Sequence, residues 1–128
     1  MKKKIVIIGA GPAGLFSAYK LSETNKFDII ICNHVLEHIP EYLTAINEFF
    51  RVLKPGGFAI LQTPYSRLLN RNFEDKNINT DELRLYFYGE KDHQRIFGEE
   101  NFFQDLQNAG FILDIIKNKI FFTDEECY

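Results

Sequence analysis

The chain has 128 residues, of which 45% are hydrophobic and 26% are charged, and these values are typical of one globular domain rather than a disordered segment. Its net charge of -3 offers no basic surface for a nucleic-acid backbone. No apolar run approaches the roughly 20 residues needed to cross a bilayer. The composition therefore argues against nucleic-acid binding and against a membrane span.

The N-terminal segment and the two cysteines bear on the compartment. Three lysines followed by an apolar run resemble a secretory leader, but glycines and Pro12 interrupt that run and no small-x-small cleavage site follows. Cys32 and Cys127 belong to no CxxC pair, which argues against a thiol-ligated metal or redox motif and indicates two free thiols. We therefore expect a cytoplasmic protein.

Hydrophobic patterning predicts alternating strands and helices in chain order. Buried strands are predicted at 4–8, 27–32, 58–62 and 111–116, with 120–122 as part of a fifth. Helices are predicted at 12–21, 40–53 and 99–108. The alternation indicates an α/β fold of the Rossmann-like type, with a mostly parallel sheet and flanking helices.

Turn residues mark the boundaries of these elements. Pro40 is expected in the first turn of the second helix, and Gly110 is expected as a left-handed cap after the third. The segment 54–57, with the sequence KPGG, predicts a tight turn before the third strand. Between 66 and 97 the periodicity breaks down, and this stretch is either a loop packed on the core or a lid over a pocket.

A glycine-rich loop lies between the first strand and the first helix. Its glycines, Gly9, Gly11 and Gly14, form a G-x-G-x-x-G motif, which suits a tight turn, close approach of a pyrophosphate and a helix N-terminus facing the anion. Residues 3–26 resemble the FAD/NAD-binding motif that opens flavin-dependent oxidoreductases, which implies FAD or NAD as a ligand. A glycine turn that only packs is the other interpretation.

The second half of the dinucleotide motif is missing. An acid that holds the ribose is expected at the end of the next strand, but Asn33 follows that strand. The remaining chain is also too short for the other regions of a complete flavoenzyme. The loop is therefore compatible with phosphate binding but not with a whole flavin-dependent enzyme.

From Phe27 onward the sequence resembles a different family. Three segments carry the resemblance: VLEHI at 35–39, RVLKPGG at 51–57, and a later D-H-x-R pattern at 92–95 followed by AGF at 109–111. Together they make residues 27–118 similar to a class I S-adenosylmethionine-dependent methyltransferase. The resemblance implies a Rossmann-like fold and transfer of a methyl group from S-adenosylmethionine.

The chain departs from that family at its start and at its end. Ile7 stands where the family's cofactor loop has an acid, and only a dozen or so residues separate the loop from the next strand, where the family has two further strands. We expect one domain over 1–128, with a dinucleotide-binding type of start at 1–26 and a methyltransferase-like core at 27–128 that is truncated relative to the full fold. We also expect this shortened wall to weaken cofactor binding.

Candidate site residues follow the second strand. The resemblance implies that Asn33 and His34 approach the methionine end of the cofactor, and that His38 caps the following turn as a structural or a catalytic histidine. His93 is a candidate general base for a hydroxyl or amine acceptor, and a loop anchor is its other interpretation. The segment 34–38 also has the H-x-x-E-H pattern of inverted zinc proteases, but its position directly after a buried strand favours a ligand-binding loop without a metal.

The sequence therefore predicts a methyltransferase-like domain, either active or impaired, whose acceptor is a small molecule. Two alternatives stay open: an oxidoreductase fragment that binds FAD or NAD through Gly9, Gly11 and Gly14, and a non-catalytic remnant or interaction module. No nucleic-acid or membrane partner is expected. Unpaired sheet edges favour self-association.

Overall fold

The structure is a computed structural model that describes residues 5–8 and 26–115. Three strands, three helices and a short second sheet are described. In chain order they are β1 (Ile5–Ile8), β2 (Phe27–Asn33), a 3-10 turn (Leu36–His38), α1 (Tyr42–Val52), β3 (Leu53–Gln62), β4 (Tyr65–Ser66), α2 (Asp81–Tyr88), β5 (Phe97–Gly98) and α3 (Glu99–Asn108). The helix predicted at 12–21 and the strand predicted at 120–122 lie outside the described residues.

The main sheet is parallel, with the order β1-β2-β3. Ile5 pairs with Ile29 at one end of the β1–β2 ladder and Ile8 pairs with Cys32 at the other. The prediction that 27–32 forms a central strand beside 4–8 is therefore confirmed. Because all three strands run the same way, their carboxyl ends meet at one edge of the sheet, which is where open α/β sheets bind ligands.

The hydrophobic core lies on one face of this sheet, between β2 and the helices α1 and α3. Ile30 and Cys32 of β2 are fully buried, while Ile29 and Ile31, which point to the opposite face, are only partly buried. Helical spacing in α1 and α3 presents an apolar stripe to the sheet. The buried members of this cluster outside β2 include Val35, Leu36, Ile46, Phe49, Val52, Leu53, Phe97, Phe102 and Leu106.

The predicted turn at 54–57 lies inside a strand. Leu53 pairs with Phe27 and Phe58 pairs with Ile29, so the residues between Leu53 and Phe58 bulge out opposite Asp28. Gly56 takes a φ of 77°, which only glycine adopts at little cost. The turn chemistry is therefore present, but the chain resumes the same ladder instead of starting a new strand.

Two other local predictions are corrected. The helix α1 begins at Tyr42 rather than at Pro40, because Pro40 belongs to the preceding turn, where its carbonyl accepts a hydrogen bond from Arg95. Residues 111–115 form no strand, although the sequence predicts one over 111–116. They alternate in burial as a strand does, but they make no ladder with any described residue. The helix at 99–108 is confirmed, with Gly110 at a φ of 109° after it.

The stretch at 66–97 contains more regular structure than the sequence predicts. It includes α2, whose N-cap Thr80 accepts a hydrogen bond from the Leu83 amide at 3.2 Å and whose last turn is followed by Gly89 in the left-handed region. The sequence left two interpretations of this stretch, a loop packed on the core and a lid over a pocket. Its last residue, Phe97, is fully buried and so packs on the core. None of the helices in the described ranges is both long and apolar enough to cross a membrane.

Candidate functional site

The candidate site begins where β2 ends, at the carboxyl edge of the sheet. Asn33 is the last residue of the strand and is exposed. His34 has a φ of 51°, an uncommon backbone conformation for a residue with a side chain, and its amide donates to the Gln62 carbonyl at 2.8 Å. This turn leads the chain away from the sheet and leaves the His34 side chain half-exposed at the edge.

Glu37 lies beneath this edge and is almost fully buried, with 1% of its surface exposed. Its Oε2 accepts a hydrogen bond from the Thr63 hydroxyl, at the end of β3, at 2.8 Å. Its Oε1 accepts no hydrogen bond. His34 Nδ1 lies 3.3 Å and His38 Nε2 lies 3.9 Å from that oxygen. A buried carboxylate oxygen therefore faces two imidazoles.

The two histidines predicted as catalytic candidates are in contact. The rings of His38 and His93 are 4.8 Å apart between centroids and lie nearly perpendicular. On the other side of its ring, His38 Nδ1 lies 3.2 Å from Asp92 Oδ2. The 3-10 turn after β2 and the segment before β5 thus bring all three histidines of the chain to Glu37 and its neighbours.

Arg95 fixes the turn that carries these groups. Its guanidinium is fully buried and donates to three backbone carbonyls, those of Leu36 at 3.2 Å, Ile39 at 2.5 Å and Pro40 at 2.8 Å. It also pairs with the Glu74 carboxylate at 2.7 Å. These carbonyls lie in the loop between β2 and α1. A single side chain donates hydrogen bonds to all of them, and this holds the loop in one conformation.

Two more contacts join the same segments. The Gln94 amide donates to the Glu37 carbonyl at 2.8 Å, and the Arg95 guanidinium lies 4.5 Å from the centroid of the Tyr42 ring. The Tyr42 hydroxyl donates to Asp105 at 2.7 Å. Burial is the main cause that raises the pKa of Tyr42, and this hydrogen bond adds to the effect. The segment 92–95 is therefore tied both to the turn after β2 and to α1.

Cys32 lies in the core just before the site. Burial raises the pKa of its thiol to about 12, and the negative charge of Glu37 adds to the effect. A thiol with this pKa is not ionised near neutral pH and is a poor nucleophile. Cys32 is free, as expected, and Cys127 lies outside the described residues.

The structure brings some of the predicted site residues together, and the others lie outside the part of the chain that it describes. Asn33, His34 and His38 lie along one loop, and His93 joins His38 from a distant part of the chain. The predicted cofactor glycines at positions 9, 11 and 14 lie outside the described residues, so their place in a shared cleft stays a prediction. Sequence reasoning did not single out Glu37 or Asp92 as site residues, although each is the acid directly beside a candidate histidine.

Comparison with known proteins decides the family. A family model described as a methyltransferase domain matches residues 9–114. The chain belongs to this methyltransferase family. The match begins at the first glycine of the loop, so the loop itself falls within the methyltransferase domain.

Individual relatives agree with this assignment. The chain is 39% identical over 51 residues to the ubiquinone biosynthesis O-methyltransferase of Alkalilimnicola ehrlichii, a match that covers 40% of this chain and 19% of the relative. It is 49% identical over 35 residues to the demethylmenaquinone methyltransferase of Lactococcus lactis subsp. lactis, covering 27% and 14%. The matches thus span about a fifth or less of these curated relatives.

A solved structure supports the fold. A protein of Bacillus halodurans C-125 that is described as a methyltransferase superposes with a TM-score of 0.59 at 20% identity, covering 90% of this chain and 62% of that one. The predicted α/β fold with parallel strands and flanking helices is therefore confirmed as methyltransferase-like. None of these comparisons supports the alternative of an oxidoreductase fragment that binds FAD or NAD.

Proposed function

We propose that this methyltransferase domain uses S-adenosylmethionine as the methyl donor and a small organic molecule as the acceptor. The observation that carries the proposal is the cluster of Glu37, His38 and His93 at the carboxyl edge of the parallel sheet, within the matched family domain. Open α/β sheets bind ligands at this edge, and a cluster of polar side chains there can position a ligand for reaction.

The residues at the end of β2 fit the polar end of such a cofactor. Asn33 and His34 are exposed there, and an amide and an imidazole can both donate to a carboxylate and accept from an ammonium group. The glycines at 9, 11 and 14 would complete the site from the loop after β1. When bound, the cofactor supplies a methyl group already activated by the adjacent sulfonium.

The chain's own contribution is to align the acceptor and to remove its proton. His93 is the proposed proton acceptor, because its imidazole is only partly buried and lies against His38. His38 would position His93 through the perpendicular ring contact, and Asp92 holds His38 from the far side at 3.2 Å. Alignment of two reactants and a nearby base are both established sources of rate enhancement.

The acceptor class rests on the relatives. The names of both curated relatives refer to quinone compounds, so a quinone-type or phenolic small molecule is the acceptor we propose to test first. A hydroxyl on such a ring needs a base to lose its proton during methylation, which is the role given to His93.

The test is isothermal titration with S-adenosylhomocysteine, FAD and NAD. We expect S-adenosylhomocysteine to bind with a dissociation constant of about 100 μM or weaker, because the charged hydrogen bonds of a ribose-holding acid are missing. Gly11→Val is expected to abolish this binding, since a side chain there would occupy the path of the ligand. Binding of FAD or NAD without binding of S-adenosylhomocysteine would refute the proposal.

A matched pair of asparagine variants tests the described part of the site. Asn33→Ala is expected to weaken S-adenosylhomocysteine binding several-fold, whereas Asn79→Ala, an exposed loop residue far along the chain, should leave it unchanged. Equal effects of both substitutions would remove Asn33 from the site. A sub-micromolar dissociation constant for the unaltered chain would contradict the expected weak binding but not the choice of cofactor.

A further inference from the structure

We propose that Glu37, His38 and His93 form a binding site for a divalent cation of the zinc type. Each residue offers one ligand atom, and these atoms all lie within 4.8 Å of one another. The three side chains come from two segments, the 3-10 turn after β2 and the segment before β5. The arrangement differs from a zinc-protease helix, because His34 and His38 do not share a helix and His93 comes from elsewhere.

The buried oxygen of Glu37 is the first observation that points to a cation. Its carboxylate is fixed through Oε2 by Thr63, while Oε1 is buried and accepts no hydrogen bond. A buried acceptor left in this state is unfavourable unless a proton or a cation approaches it. Oε1 faces the histidine side of the cluster, since His38 Nε2 lies 3.9 Å away.

The orientation of His38 is the second observation. Its Nδ1 lies 3.2 Å from the Asp92 carboxylate, which favours the tautomer with the proton on Nδ1. The lone pair of Nε2 then points toward Glu37, so two electron-rich atoms face each other at 3.9 Å. A carboxylate behind a histidine is the arrangement that orients imidazole ligands in metal sites.

The cluster is also held rigidly. Arg95 and the Gln94 amide tie the segment that carries His93 to the carbonyls of the turn that carries Glu37 and His38. Preorganised ligands do not have to be ordered when the ion binds, which favours affinity. The half-exposed His34 also faces Oε1, at 3.3 Å, so a protonated His34 is an alternative partner for this oxygen.

The ligand set selects the kind of ion. Two imidazoles and one carboxylate suit Zn²⁺ and related transition metals, whereas Mg²⁺ and Ca²⁺ prefer oxygen ligands. Three protein ligands leave a coordination position open for water or another small ligand. A bound cation and a proton compete for the same histidine nitrogens, so the ion-bound form is distinct from the form in which His93 acts as a base.

The experiment is a titration of the full chain with Zn²⁺ after removal of bound metal, in a Cys127→Ser background, which leaves the buried Cys32 as the only thiol. The chain has three histidines, two in this cluster and His34 beside it, so binding that depends on imidazole reports on this part of the molecule. We expect one Zn²⁺ per chain with a dissociation constant of roughly 10 μM, because three protein ligands bind the ion less tightly than the four of a structural site. Co²⁺ should bind with visible bands that report nitrogen ligation.

Variants decide which residues bind the ion. His93→Ala and Glu37→Gln are each expected to weaken Zn²⁺ binding at least about 10-fold, and Asp92→Asn should weaken it by about 10- to 100-fold through His38. His34→Ala should leave it within about 3-fold, and Glu41→Gln, an exposed acid beside the turn, should have no effect. Circular dichroism of each variant identifies any that fail to fold.

The proposal is overturned by either of two results. One is the lack of saturable Zn²⁺ binding up to about 100 μM by the folded chain, which would mean that a proton or His34 satisfies Glu37. The other is unchanged binding by folded His93→Ala. Because the measurement uses neither S-adenosylmethionine nor an acceptor, its outcome is independent of the proposed methyl transfer.

Discussion

Arg95 shows at the scale of a residue how one side chain positions a site that it does not enter. It satisfies three backbone carbonyls of the loop 36–40 and pairs with Glu74, while Asp92 and His93 stand close before it in the chain. Its planar fork of donors reaches several carbonyls at once, which no other side chain reproduces. The candidate site therefore depends on a residue buried below it.

We expect Arg95→Met to lower the free energy of unfolding by about 3 kcal/mol, because it leaves buried carbonyls without donors and Glu74 without its partner. Arg71→Met, at an exposed arginine in the same part of the chain, should change it by less than about 0.5 kcal/mol. Urea denaturation of the two variants checks this. Similar stabilities for both would show that the loop is held by other contacts.

The bulge in β3 matters at the scale of an element, because it sets the register of the strand that ends beside Glu37. A side chain at Gly57 would place its Cβ 2.8 Å from the Asp28 carbonyl and 3.0 Å from the Lys54 carbonyl. At Gly56 a Cβ would meet nothing within 4 Å, and only the φ of 77° restricts the residue. The two neighbouring glycines are thus required for different reasons.

We expect Gly57→Ala to lower the melting temperature strongly, by the equivalent of about 2 kcal/mol or more, because backbone atoms must move. Gly56→Asn should cost less than about 1 kcal/mol, since asparagine tolerates the left-handed region. Thermal denaturation followed by circular dichroism compares them. The account of the bulge is wrong if Gly56→Asn is the more damaging change.

At the scale of the whole molecule, one face of β3 is more exposed than the other. On the face away from the core, Phe58 and Ile60 of β3 are each about half-exposed, at 50% and 49%. Among the described residues, β3 has a ladder partner on one side only, which is β2. Exposed apolar side chains along an unpaired strand favour association. These side chains therefore support the proposal, made from the sequence, that the chain self-associates.

We expect sedimentation velocity to show a dimer or larger species that dissociates on dilution, with Ile60→Lys weakening association at least about 10-fold. Leu68→Lys, at a side chain that is 94% exposed in a separate loop, should have no effect on it. A chain that stays monomeric at all concentrations would contradict the proposal.

The single domain over 1–128 and the cytoplasmic location likewise stay predictions.

Local patterning was sufficient for the parts of this protein whose structure follows from nearby residues. The buried strand at 27–32, the helix at 99–108 and the left-handed glycine at 110 have strong local signals, because burial and capping leave a direct trace in residue order. The position of Asn33 and His34 at the carboxyl edge of the sheet follows from the parallel strands alone, and their role in binding a ligand stays a prediction.

Only the tertiary structure decided how the site is assembled. Sequence order places His38 and His93 far apart, and their contact depends on the long-range hydrogen bonds of Arg95 and Gln94. Likewise, the buried Glu37 accepts its hydrogen bond at Oε2 from Thr63, which follows another strand, while Oε1 accepts none. A periodic pattern records which face of an element is buried, but it does not record which distant polar groups meet there.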